Sequence, residues 1–211
     1  MRAPVRIVVL ARAPLPGRAK SRLVPRLGAW GAARLQARLT ERTLRTARAA
    51  GVGVIELHAA PRAQRPFFVN SARRFEAALY AQRGGDLGER MQRAAAQALR
   101  RARAMILVGT DCPALSVRDL RRAARALQGG ADAVLAPADD GGYALIGLRR
   151  ADPRVFGGIA WGTNAVYAAT RRRTDALGWR VRVQRTVWDL DRPEDLARRI
   201  ALRARVRGGA P

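Results

Sequence analysis

Several stretches of this 211-residue sequence carry side chains that could do chemistry together. The first runs from Arg12 to Leu23 (RAPLPGRAKSRL). Its prolines and Gly17 stiffen a loop that presents Arg12, Lys20 and Arg22. Those cations suit a polyphosphate, arginine through bidentate contacts and lysine as a point charge. An ordinary basic surface loop would have the same composition. Lys20 is the one lysine among 41 Lys+Arg, which favours a role over chance. The loop is not a Walker A motif, which needs Gly-Lys-Ser/Thr contiguous. A G-x-G-x-x-G dinucleotide fingerprint is absent too.

The second stretch is Val108 to Pro113 (VGTDCP), where a lone Asp111 ends an apolar run. Such a carboxylate can bind Mg²⁺ or Mn²⁺ that also holds a phosphate. It can equally be a turn aspartate accepting backbone amides. In Pro137 to Tyr143 (PADDGGY), Asp139 and Asp140 precede Gly141 and Gly142. This reads as a tight turn. It reads equally as a place where substrate approaches backbone and Asp140 is a general base. In Trp188 to Glu194 (WDLDRPE), Asp189 and Asp191 alternate and so share a face. Either could complete a metal site with Asp111. Asp191 also fits, with Glu194, a capping box before Pro193. In Gly84 to Met91 (GGDLGERM), Asp86 can cap a helix. The backbone amides from Gly85 onward could receive a nucleotide.

Composition narrows the partners. The formal charge is +25, which suggests an anionic ligand. The arginines are dispersed, however. Arg34, Arg38, Arg42, Arg45 and Arg48 recur at helical spacing, as on a solvated face. Aromatics make up 5%, leaving little to stack on bases. Dedicated nucleic-acid binding is therefore not expected. One cysteine and one histidine exclude a disulfide framework and a Cys/His zinc site. Cys112 reads as a small packed residue, and His58 as a packed or surface histidine. The apolar runs are too short or too broken for a signal peptide or a membrane span. The expectation is a soluble cytoplasmic protein.

The elements that must position these stretches follow from periodicity. Strands are expected at Val5 to Ala11, Val52 to Ala59, Leu79 to Gln82, Ala104 to Gly109, Ala133 to Pro137, Tyr143 to Leu148 and Arg180 to Trp188, the first and fourth of them buried. Helices are expected at about Trp30 to Ala50, Phe67 to Ala78, Asp86 to Arg103, Ser116 to Gly129, Thr163 to Leu177 and Pro193 to Arg205. Gly51 stops the first, and Leu87, Met91, Ala94 and Ala98 recur at helical spacing in the third. Ser116 and Asp119 form a capping box. A frayed tail, Gly208 to Pro211, is expected after the last helix. The alternation gives an α/β class with a mainly parallel sheet, read as one domain over residues 1–211. In such sheets ligands bind beyond the carboxyl ends of the strands, where the motifs lie.

In order, PLPGRAKSRL, GDLGERM, GTDCPAL, PADDGGYALIGL, FGGIAWGT and DLDRPEDL resemble the bacterial glycosyltransferase-like family known as radical-SAM/selenodomain-associated transferases. The resemblance runs from about Val5 to Leu196. It implies a three-layer, Rossmann-like GT-A fold, that of nucleotide-diphospho-sugar transferases. It also implies a metal-dependent transferase using a nucleotide-activated donor, first a nucleotide sugar. Nucleotidyl transfer with pyrophosphate release, or non-catalytic nucleotide binding, are the alternatives. By position, Lys20 and Arg22 would hold phosphates beside Arg12, and Asp111 would bind Mg²⁺ or Mn²⁺ with Asp189 or Asp191. Asp139, Asp140, Gly141, Gly142 and Tyr143 would line the acceptor side. Gly85, Asp86 and Trp161 would complete the substrate contacts, and Asp140 and Lys20 would be catalytic. The acceptor, a small molecule, and the oligomeric state stay open.

Overall fold

Alternating branched apolar residues make the strands, and they assemble into one seven-stranded sheet of order β3-β2-β1-β4-β6-β5-β7. The structure, a computed structural model, describes residues 3–198. The strands are β1 (Ala3–Arg12), β2 (Val54–Ala60), β3 (Ala78–Ala81), β4 (Ala102–Val108), β5 (Ala133–Pro137), β6 (Tyr143–Leu148) and β7 (Val181–Val183). β3, β2, β1 and β4 are mutually parallel, and β5 and β7 are parallel. β6 is antiparallel to both β4 and β5. The expected α/β class with a mainly parallel sheet is therefore what the chain adopts.

Helices α1 (Val24–Ala50), α2 (Pro66–Arg74) and α4 (Val117–Gln128) cover one face of the sheet. Their Leu44, Phe68 and Leu120 pack on Ile7, Val9, Leu57 and Ile106. Helices α3 (Leu87–Leu99) and α5 (Val166–Ala176) lie on the other face. There Met91, Ala95 and Tyr167 join Val8, Met105, Leu135 and Ile146. The two faces are built from alternate residues of the same strands, as the period of a strand requires. A smaller cluster joins Leu23, Leu35 and Leu39 to Leu190, with Trp188 against it.

Element ends move where tertiary contacts override local pattern. α1 begins at Val24 rather than Trp30, with a break at Gly28 (φ 68°), and Gly51 ends it in the left-handed region. α2 stops at Arg74 and α3 at Leu99, because β3 and β4 claim the residues that follow. In α3, Met91, Ala94 and Ala98 are buried, while Leu87 is exposed at the first turn. β2 starts two residues late, and α5 covers only Val166–Ala176. The long last strand reduces to β7 and an isolated bridge between Val187 and Ala138. Of the expected final helix, residues 195–198 are helical. Its remainder and the tail lie outside the described residues. The Ser116–Asp119 capping box is present, with both reciprocal hydrogen bonds.

The arginine surplus is largely solvated. Arg34, Arg38, Arg45 and Arg48 are exposed on α1, while Arg42 turns inward to donate to the Pro113 carbonyl. Of the packed and surface readings of His58, the structure shows the packed one. It belongs to a polar patch where β1, β2 and β3 meet. Its Nε2 lies 3.0 Å from Glu56 Oε2, and Arg6 donates to Glu56 Oε1 at 2.5 Å. Burial alone would raise the Glu56 pKa. Hydrogen bonds from His58 and Arg6 outweigh it and hold the carboxyl below its ordinary value. Among the described residues no helix is long and apolar enough to cross a membrane.

Candidate functional site

The motifs converge because each follows a strand at the same edge of the sheet. Arg12 ends β1, Gly85 and Asp86 lie between β3 and α3, and Asp111 follows β4. The 138–142 turn joins β5 to β6 at that edge. The last motif arrives by a strap of extended chain. Val187 donates to the Pro137 carbonyl, and Asp139 N–H donates to Val187 O. Leu190 N–H then donates to the Asp111 carbonyl at 2.8 Å. Trp188 and Leu190 face the small apolar cluster, so Asp189 and Asp191 face the other way.

Lys20 is the centre of the arrangement. Ala19 and Leu23 are buried on either side of it and anchor the loop. Its backbone is left-handed (φ 50°), and its side chain is only 4% exposed. The ammonium lies 2.7 Å from Asp111 Oδ1, donates to the Leu190 carbonyl at 2.6 Å, and stands 3.8 Å from Asp191 Oδ1. Arg22 donates to Asp191 Oδ2. Two expected phosphate ligands thus meet two expected metal ligands. Arg12 is exposed at the end of β1.

Negative charge is concentrated here. Burial, then Asp140, push the Asp189 carboxyl up to about 6, with Asp195 and Asp191 adding to the effect. The Cys112 thiol is pushed up by burial and by Asp111, Asp189 and Asp140. It is therefore no thiolate nucleophile. Asp191 is not the expected cap. Asp195 accepts from the N–H groups of Asp191 and Arg192 instead, which leaves the Asp191 carboxylate to Arg22 and Lys20. Asp195 is one helical turn further on, so its carboxylate reaches back over the free amides.

The acceptor-side residues divide. Asp140 Oδ1 accepts from Gly142 N–H at 2.9 Å, so the carboxylate shapes its own turn. Gly141 has φ 84°, and a Cβ there would stand 2.2 Å from Asn164 O. Only glycine fits that approach. Asp139 pairs with Arg198 at 3.2 Å. Tyr143 points into the second core, its hydroxyl donating to Met91 Sδ at 3.7 Å. Burial raises its pKa. Asp86 caps α3 by accepting from Glu89 N–H at 2.8 Å, and Gly85 N–H donates to Glu89 Oε2. Trp161 lies so close to Gly88 that a Cβ there would be 2.5 Å from its Nε1. The loop bearing Trp161 is held by Arg173, which donates to the carbonyls of Arg154, Gly157 and Gly158.

Two supports escaped the sequence reading. Leu190 contributes a backbone carbonyl, which no side-chain pattern can show. Gln36 is buried on α1 and donates to Thr110 Oγ1 at 3.0 Å, fixing the residue before Asp111. A polar residue between Leu35 and Leu39 on an inner helix face was the available clue.

The donor set suits a hard cation: carboxylate and carbonyl oxygens, with desolvated negative charge at Asp189. Among the described residues no three His, Cys, Asp or Glu side chains form a ready metal cage. A Mg²⁺ or Mn²⁺ site does not need one, since water and substrate phosphates complete the shell.

The seven-stranded, mainly parallel sheet matches the fold of nucleotide-diphospho-sugar transferases and nucleotidyltransferases. A protein from Desulfovibrio desulfuricans G20, provisionally named a nucleotide-diphospho-sugar transferase, is 30% identical. The match covers 91% of this chain and 84% of that one, with a TM-score of 0.82. The chain belongs to the family described as "Uncharacterized protein conserved in bacteria (DUF2064)", whose model matches residues 43–163. The fold is shared more widely. A CMP:2-keto-3-deoxy-manno-octonic acid synthetase, solved with CTP, matches at 14% identity and TM-score 0.59, over 96% of this chain and 99% of that one. Rv0371c from Mycobacterium tuberculosis H37Rv, solved with manganese, matches at 20% identity and TM-score 0.55, over 92% and 97%. No curated protein matches.

Proposed function

We propose that this chain is a metal-dependent transferase whose donor is a nucleotide sugar. The carrying observation is the meeting of Lys20 and Arg22 with Asp111 and Asp191 at the carboxyl edge of the sheet, with the half-buried Asp189 carboxylate close enough to Asp191 to feel its charge. Asp111, with Asp189 or Asp191, would hold Mg²⁺ or Mn²⁺. Bound there, the ion would supply charge neutralisation for a departing diphosphate. Arg22 and Arg12 would bind phosphate oxygens, and preorganised cations of this kind matter most as charge develops. Asp140 would take the proton of the acceptor hydroxyl as its oxygen attacks the anomeric carbon and the bond to the diphosphate breaks. Gly85, Asp86, Asp139, Gly141, Gly142 and Trp161 would shape the nucleotide and acceptor subsites. The packing of Tyr143 supports a role beneath that wall.

The shared fold with nucleotidyltransferases favours one second reading. In it an acceptor phosphate oxygen attacks the α-phosphorus of a nucleoside triphosphate and pyrophosphate leaves in line. The order of the six motifs supports the narrower placement among radical-SAM/selenodomain-associated transferases. The reading also includes a single domain over residues 1–211, working in the cytoplasm.

The test is product analysis with panels of nucleotide sugars and nucleoside triphosphates plus Mn²⁺. Release of a nucleoside diphosphate supports glycosyl transfer, and release of pyrophosphate supports the second reading. Nucleotide binding indifferent to Mn²⁺ and unchanged in Asp111→Ala would overturn both in favour of a non-catalytic binding protein.

A further inference from the structure

The position of the Lys20 ammonium is unusual for a phosphate ligand awaiting substrate. Its side chain is almost wholly buried, and it faces oxygens on the protein itself: Asp111 Oδ1, the Leu190 carbonyl and, farther off, Asp191 Oδ1. Carboxylate and carbonyl oxygens around one small cation are also what a divalent ion asks of a protein. Asp111 remains half exposed (52%), so the group is open to solvent on the side away from Lys20. A buried ammonium is tolerated only when its charge is matched and its protons are accepted. Here Asp111 does the first and Leu190 shares the second. The strap makes this geometry durable, because the Leu190 N–H is bonded to the Asp111 carbonyl and its side chain is fully buried.

We propose that Lys20 is a built-in counter-cation that occupies the oxygen site of Asp111 and Leu190 until a divalent ion displaces it. The inference rests on the metal-dependent reading above and adds a gate to it. Ion binding at Asp111 and retention of Lys20 on Asp111 exclude each other. The displaced ammonium stays tethered beside the site, on the loop that also carries Arg22. There it is free to meet a donor phosphate. Metal and phosphate therefore bind cooperatively: the ion releases Lys20 for the phosphate, and the phosphate keeps Lys20 away from the ion. Linkage requires the effect to run equally in both directions. A chain with a single lysine leaves no second lysine side chain to take its place.

That single lysine also makes a clean test. Acetylation of the unmodified protein is followed by mass spectrometry of the Lys20 peptide, with the chain's α-amine as internal reference. Lys20 should react slowly alone and at least tenfold faster with saturating Mg²⁺ and no nucleotide. An Mg²⁺-independent rate overturns the gate. In parallel, Mn²⁺ binding is measured by the loss of the free-ion EPR signal for wild type, Lys20→Met and Asp111→Asn. Lys20→Met should bind Mn²⁺ at least tenfold more tightly than wild type without nucleotide. If Asp111→Asn abolishes Mn²⁺ binding but Lys20→Met gains none, the gate falls and the metal site stands. If neither wild type nor Lys20→Met binds Mn²⁺ at millimolar concentration, both fall. Should Lys20→Met fail to fold, the labelling of the unmodified chain decides.

Discussion

Two charged clusters lie on the same sheet and do different things. One joins Arg6, Glu56 and His58 across β1 and β2, and every partner sits on a strand. Glu56 is wholly buried, and each of its oxygens has a partner. The other joins Lys20 and Arg22 to Asp111 and Asp191 at the sheet's edge, with Asp189 beside Asp191, and none of these residues sits on a strand. In the first, hydrogen bonds from His58 and Arg6 outweigh burial and hold the acid below its ordinary pKa. In the second, burial and neighbouring acids push Asp189 the other way. A matched cluster on rigid strands specifies packing. A cluster with surplus negative charge on loops keeps a demand for a cation, and that demand is what a ligand can satisfy.

The contrast breaks if mutations in the two clusters have the same phenotype. The largest effect is expected from Asp111→Asn, which should lower turnover at least about 100-fold, the scale of losing one preorganised charge-stabilising group. Circular dichroism should show the fold retained. Conversely, Glu56→Ala strands Arg6 and should cost about 3–5 kcal/mol in urea unfolding, the scale for breaking a buried pair. Activity per folded molecule should survive; a catalytic loss without a stability loss would erase the distinction. Gly141→Ala sits between the two. Its positive φ and the clash with Asn164 O should cost about 2 kcal/mol and lower activity through displacement of the 139–142 turn. The smallest effect tests a site belonging to neither cluster: Ser116→Ala should cost about 1 kcal/mol, the value of one helix cap, with kinetics unchanged.

Acid sharpens the comparison further. Because the folded Glu56 pKa is depressed, its contribution is fully present above the unfolded glutamate value of about 4.3. It is lost as pH falls through the lower folded value. The melting temperature of wild type should therefore drop more steeply below about pH 4.3 than that of Glu56→Gln. Equal slopes would show that the pair does not carry acid stability.

Much of the fold was legible locally. Strands such as Ile7 to Val9 and Met105 to Val108 announce themselves by branched apolar runs, and Ser116 and Asp119 cap α4 within four residues. Element ends were less legible, since β4 takes over from α3 through pairing with β1, where Ala3 lies opposite Ala102, far outside any local window. The site was legible as a set of residues but not as a set of partners. Asp191 read equally well as a cap. What freed it was Asp195, whose carboxylate took the amides instead.

The sequence by itself determined which side chains reach the carboxyl edge for every motif but the last, because strand–loop alternation places each of those directly after a strand. Tertiary structure alone decided that Lys20 faces Asp111 and a carbonyl 170 residues away rather than open solvent. The reason is physical. Helix caps and strand periodicity are local terms. The burial of an ammonium depends on oxygens delivered by distant chain, and only the folded strap carrying Leu190 brings them within hydrogen-bonding distance.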